Sequence, residues 1–151
     1  MAAKLELDVT YAARRPWVPR RAQFTLWAEA ALSDSASSNA LSVHVVGAVR
    51  SRSLNAHYRH KDKPTNVLSF SGAGTSPDGL NYLGELVICA SVVAQEARVQ
   101  GKSPESHWAH MTVHGVLHLL GFDHEQRAEA RKMAAREVQI LDRLGFSDPY
   151  V

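Results

Sequence analysis

Hydrophobic and polar positions change period several times along the chain, and each change marks an element. Leu5, Leu7 and Val9 alternate with Glu6, Asp8 and Thr10, the period-two pattern of a strand with one buried face. Pro16 and Pro19 punctuate the next turn. Phe24, Trp27, Ala28, Ala31 and Leu32 then recur at helical spacing until a Ser-rich loop over 33–38. The run from Leu41 to Val46 predicts a second strand, and Arg50 to about Arg59 a helix with Leu54 and Tyr58 on one side. Val67 to Phe70 and Leu86 to Ala90 are short apolar runs that predict two further strands. Between them, Gly72, Gly74, Pro77 and Gly79 predict a mobile loop. From Ser91 the period becomes helical, breaks at Gly101, restarts with Ser103 as N-cap and Pro104 in the first turn, and runs to Leu120. A last helix carries Met133, Val138, Ile140, Leu141 and Leu144. Strands early and helices late predict an α+β fold, with about four strands in a mixed sheet and about five helices. Strand order is not legible at this level.

Composition narrows the class. At 151 residues and 45% hydrophobic content the chain can fill one core and is short for two, so residues 1–151 are expected to form one domain. Seventeen Lys and Arg against fifteen Asp and Glu give a net charge of +2, which permits a polyanionic partner without requiring one. The one cysteine, Cys89, lies in an apolar run, so a disulfide framework and a thiolate-rich metal cluster are both excluded. No stretch approaches the roughly 20 apolar residues of a bilayer span, and the first residues include Lys4, Glu6 and Asp8, unlike a signal peptide. A cytoplasmic protein with no membrane partner is expected.

The chemistry concentrates late. His114 and His118 are four apart on a predicted helix, on one face and roughly 6 Å apart along the axis. Gly121 suits the left-handed conformation that ends a helix, and a turn there can fold His124 back toward the pair. Three imidazoles with a fourth position left for water describe a catalytic zinc site, although nickel, copper and cobalt remain open. The spacing is that of the extended zinc-protease motif, but the glutamate that serves those enzymes as general base is here Gly115. Peptide hydrolysis by that route is disfavoured. His107 and His110 continue the helical stripe and could support the metal ligands or form the site rim, but are read first as packing or solvent-facing groups. Asp123 either serves the metal site or pairs with Gln126 to cap the last helix.

The string from His114 to His124 resembles the signature of the YbeY family of bacterial and organellar endoribonucleases. The resemblance extends through the stretch from Leu54 to Arg59, Lys61-Asp62-Lys63-Pro64-Thr65, Val67-Leu68-Ser69-Phe70, Leu83-Gly84 with Glu85, and the helix with Met133 and Glu137. It implies a zinc-dependent, single-strand-specific endoribonuclease acting in rRNA processing at the small-subunit 3′ end and in ribosome quality control. Single-stranded RNA, the small subunit and its assembly factors would be the partners. Carried over by position, His114, His118 and His124 would bind one Zn2+, and Arg59 and His114 would be the catalytic pair. The chain departs from the family at Asn66 and Glu85, where Asp is usual, and at Ser71, where Pro is common.

Phosphodiester cleavage needs an activated oxygen nucleophile and a counter-charge for the phosphate. A zinc-bound water, its pKa lowered toward about 7, meets the first need, and a guanidinium that forks two hydrogen bonds onto phosphate meets the second. Attack by such a water and attack by the RNA 2′-hydroxyl both fit these residues and leave different ends. Lys61 and Lys63 extend the positive segment after Arg59, and Arg50 and Arg52 precede it, as a candidate track for an RNA backbone. Two other readings stand beside the nuclease: a non-catalytic ribosome-assembly or RNA-binding factor with structural zinc, and a metallopeptidase-like hydrolase.

Overall fold

The computed structural model describes residues 4–123 and 125–151. Over these, the chain runs β1 (Leu5–Tyr11), α1 (Arg21–Ala31), β2 (Ser38–Val46), α2 (Ala48–Arg59), β3 (Val67–Thr75), β4 (Leu80–Cys89), α3 (Ala90–Val99), α4 (Pro104–Leu119) and α5 (Arg127–Arg143). The four strands form one mixed sheet in the order β1-β2-β4-β3. β1, β2 and β4 are parallel and β3 closes one edge antiparallel to β4. This is the α+β architecture that the periodicities predict.

Strand alternation sorts the side chains into two cores. Leu41, Val43 and Val45 of β2 join Leu86 and Ile88 of β4 beneath α1 and α4 in the main core. Val46, Val87 and Leu68 face the other way, where Leu54 of α2 and Phe70 complete a smaller cluster. The central helix is α4: ten of its sixteen residues are buried, including Trp108 and Val113, so it is covered by neighbours on most sides rather than along one stripe. Trp108 meets Phe24 of α1 edge-on with ring centroids 5.9 Å apart, the geometry that ring quadrupoles favour.

The expectation of a mobile loop between two short strands is corrected. β3 continues to Thr75 and β4 begins at Leu80, so the two form one hairpin. Gly74 and Gly79 take the positive φ of bulge and turn positions, whereas Gly72, also read as a loop former, serves close strand approach together with Gly84. A Cβ on Gly72 would lie 2.4 Å from the Tyr82 carbonyl oxygen, and one on Gly84, at φ +140°, would lie 2.0 Å from that of Phe70. Gly72 lies within the register shift between Ser71 and Gly74, and Gly84 pairs with Ser71 at its edge, the expected place for glycine in a bulged ladder.

The turn from α2 into β3 is held by buried polar side chains. His60 takes the left-handed conformation at φ 59°, ending α2 directly after Arg59. The Ser51 hydroxyl donates to the Thr65 carbonyl at 3.0 Å and accepts from the Thr65 amide at 2.9 Å, while Asn55 donates to the Lys63 carbonyl at 2.8 Å. The sequence patterning counted Leu54 and Tyr58 as the structured side of this helix, yet its fully buried members are Ser51 and Asn55. Ser51→Ala strands two backbone groups of Thr65 at a site that is 2% exposed. It should cost about 1–3 kcal/mol, read as a lowered urea midpoint with an unchanged m-value.

Candidate active site

The register of α4 is fixed at both ends. The Ser103 hydroxyl accepts from the Ser106 amide at 3.1 Å and Pro104 occupies the first turn. At the other end Gly121 has φ +100°, with bonds from the Phe122 amide to Leu117 (3.0 Å) and from the Gly121 amide to His118 (3.0 Å). That pair of bonds is the Schellman arrangement. Between these ends His107, His110, His114 and His118 form a ladder with successive ring centroids 6.0, 6.3 and 4.7 Å apart.

Two carboxylates brace the ladder from neighbouring helices. Glu137 of α5 is 1% exposed and accepts from His110 Nε2 at 2.7 Å, from His114 Nδ1 at 3.3 Å and from the Tyr150 hydroxyl at 2.7 Å. Burial alone would raise its pKa, but the hydrogen bonds and charge of His110 and His114 bring it down to about 2. Burial, and then the bond to that carboxylate, push the Tyr150 phenol well above its ordinary value. Glu96 of α3 accepts from His107 Nε2 at 2.9 Å and from the Asn66 amide at 3.1 Å. Burial opposes its ionisation, yet these bonds hold its pKa below the ordinary glutamate value. His107 and His110 are thus buried and paired rather than solvent-facing, and His110 shares its carboxylate with His114.

Arg59, Thr65, Asn66, Val67, Ser69, His114 and His118 line one cleft of about 260 Å³. Arg59 comes from the end of α2, Ser69 from β3, and the Ser69 hydroxyl donates to the Gly115 carbonyl at 3.2 Å, tying strand to helix. The structure therefore brings Arg59, His114 and His118 together from elements separated by more than fifty positions. Lys61 and Lys63 stand exposed on the adjoining loop. Arg52 is engaged by Asp62 through bonds of 2.7 and 2.9 Å, so it braces that loop rather than extending a free positive track. Glu85 is apart from the cleft: it faces α2 from the other side of the sheet and pairs with His44 at 3.0 Å.

His124 lies outside the described residues. Among the described residues no group of three or more potential metal ligands is gathered at one point. The residues present nonetheless fit a divalent metal. His114 and His118 offer imidazoles from adjacent turns, and Glu137 contacts His114 at Nδ1, 3.3 Å away, where a carboxylate gives the usual outer support of a metal-binding histidine. Asp123 accepts from the Glu125 amide at 3.0 Å, and the N-cap of α5 is Gln126, without a side-chain cap, so the predicted Asp123–Gln126 capping pair does not form. Gly115 faces the sheet, where an added Cβ would stand 2.7 Å from Leu86 Cδ2 and 3.3 Å from Val67 Cγ2.

The family model for Endoribonuclease YbeY matches residues 15–145, from the segment after β1 to the end of α5. The chain belongs to the YbeY endoribonuclease family. Its members are RNA-cleaving hydrolases, so RNA is the substrate class of this YbeY-type chain. In fold it is similar to the solution structure of TM1509 from Thermotoga maritima, VT1, a NESGC target protein. The TM-score is 0.62 at 20% identity, covering 93% of this chain and 88% of that one. The Tyr150 contact with Glu137 lies beyond the stretch that the YbeY model matches.

The departure at Asn66 has a physical partner in Glu96. An amide there donates to the carboxylate, whereas the Asp usual in the family would set two carboxylates against each other. Asn66→Asp should therefore destabilise the fold by about 2 kcal/mol at neutral pH. The loss should shrink as pH falls through the carboxylate range, because protonating either carboxyl restores a donor. Glu96→Gln added to that variant should recover stability at pH 7, and equal denaturation midpoints for the single and double variants would refute the pairing.

Proposed function

We propose that this chain is a zinc-dependent, single-strand-specific endoribonuclease in rRNA processing, acting at the small-subunit 3′ end and in ribosome quality control. Its partners are the small subunit and its assembly factors, and its place is the cytoplasm. The observation that supports this most is the cleft in which Arg59 faces the His114–His118 pair. His114, His118 and His124 would hold one Zn2+. Bound there, the ion supplies Lewis acidity to a phosphoryl oxygen and lowers the pKa of water.

The chain's own residues do the rest. The Arg59 guanidinium forks two donors onto the non-bridging oxygens, orienting the scissile phosphate and countering the charge that grows on it. Lys61 and Lys63 hold neighbouring phosphates. Glu137 fixes the proton of His114 on Nδ1, so the ring enters the cleft in one tautomer. A single strand can bring its backbone to the cleft bounded by Arg59, Ser69, His114 and His118, which supports the single-strand reading. Among the described residues no helix is long and apolar enough to cross a membrane.

The decisive experiment compares native protein, chelator-stripped protein and stripped protein resupplied with zinc on a labelled single-stranded RNA. Cleavage should vanish on stripping and return with zinc. Stripped protein that cuts as fast as native protein would overturn the metal-dependent reading and turn attention to a non-catalytic assembly factor.

A further inference from the structure

We infer that Glu137 is a positioning residue for His114, and that Tyr150, in the tail after α5, sets how firmly it holds that ring. The inference rests on the metal-binding reading of His114.

Glu137 occupies the buried face of α5, in helical register with Met133, Ile140 and Leu141, where an apolar side chain is otherwise expected. A carboxylate at 1% exposure is costly unless its lone pairs are met, and here three donors meet them. His110 Nε2 and the Tyr150 hydroxyl both reach Oε1 at 2.7 Å, and the hydroxyl also reaches Oε2 at 3.1 Å. His114 Nδ1 sits 3.3 Å from both oxygens, the longest of these contacts. His110 and Tyr150 therefore pin the carboxylate, and the carboxylate in turn selects the Nδ1-protonated tautomer of His114.

Tyr150 is itself aimed by the tail. Phe146 packs against Trp27 at 6.5 Å between ring centroids, after a helix end in which the Phe146 amide bonds to Leu141 at 2.9 Å. Asp148 then accepts from the Tyr150 amide at 2.8 Å, closing a turn that directs the phenol inward. The ring remains largely exposed while its hydroxyl is bound. Such a contact can be removed by deleting one oxygen with little loss of packing.

Two measurements on Glu137→Gln and Tyr150→Phe test this. The first is the ring-nitrogen NMR spectrum of His114 in metal-free protein at neutral pH. It should show the proton on Nδ1 in wild type, and a shift toward the Nε2-protonated form in Glu137→Gln. The second is zinc affinity by competition with a chromophoric chelator. It should fall by roughly 10- to 100-fold in Glu137→Gln, with Tyr150→Phe between that variant and wild type. A role confined to folding would lower the denaturation midpoint and leave both readouts unchanged. Wild-type tautomer and wild-type affinity in both variants would overturn the inference while the metal reading stands. Wild-type protein that takes up no zinc, with a tautomer that still depends on Glu137, would instead overturn the metal reading. Should Glu137→Gln not fold, Tyr150→Phe carries the same comparison.

Discussion

Gly115→Glu, the substitution that would complete a zinc-peptidase motif, should unfold the protein rather than convert it. Position 115 lies on the face of α4 pressed against the sheet, where even a Cβ would stand 2.7 Å from Leu86 Cδ2 and 3.2 Å from Leu86 Cδ1. Overpacking alone costs about 1–3 kcal/mol, and a carboxylate without partners in that apolar setting adds several more. The total, on the order of 5 kcal/mol or above, matches the whole stability of an ordinary domain. Gly115→Ala separates the two effects. Its contact is with the mobile end of a leucine, and the helix gains about 1 kcal/mol of propensity, so its melting temperature should fall by only a few degrees. Circular dichroism melts of the two variants decide the matter. A Gly115→Glu protein that melts like wild type would refute the packing account, and peptide turnover by it would revive the peptidase reading.

Arg59→Ala should lower the rate of RNA cleavage by about 10²–10³-fold, the usual loss when one donor to a developing oxyanion is removed. The residue is exposed at the end of α2, so the melting temperature should stay within a degree or two of wild type. Arg59→Lys keeps the charge but not the fork and should recover only part of the rate. Kinetics under saturating RNA separate the roles: transition-state stabilisation appears in kcat, simple tethering in KM. A variant with unchanged kcat and raised KM would make Arg59 a binding residue alone.

Element types were legible in the sequence because their signals are local. The period of Leu5, Leu7 and Val9, the Ser103–Pro104 start and the Gly121 stop each depend on a few neighbouring residues, and the structure places an element boundary or a strand at each. The β3–β4 hairpin was missed because Gly72 and Gly84 answer to backbone atoms on the opposite strand, a constraint that no single segment displays. The site divides in the same way. His114 and His118 are one helical turn apart and could be paired from spacing, whereas their meeting with Arg59 depends on how α2, β3 and α4 pack. Glu96 and Tyr150 carried no signal of their own. Glu137 did carry one, as a charged residue in register with Met133, Ile140 and Leu141, and its use becomes clear only beside His110 and His114.

The parts of the site are spread along the chain, and their order bears on how it assembles. Arg59, Asn66 and Ser69 emerge early, but the carboxylate that orients His114 belongs to α5, the last helix described. A nascent chain that has completed the sheet and α4 still lacks the brace for its central histidine. The ring and the carboxylate that contacts it therefore come from successive helices, and the contact between them can form only once α5 has packed against α4.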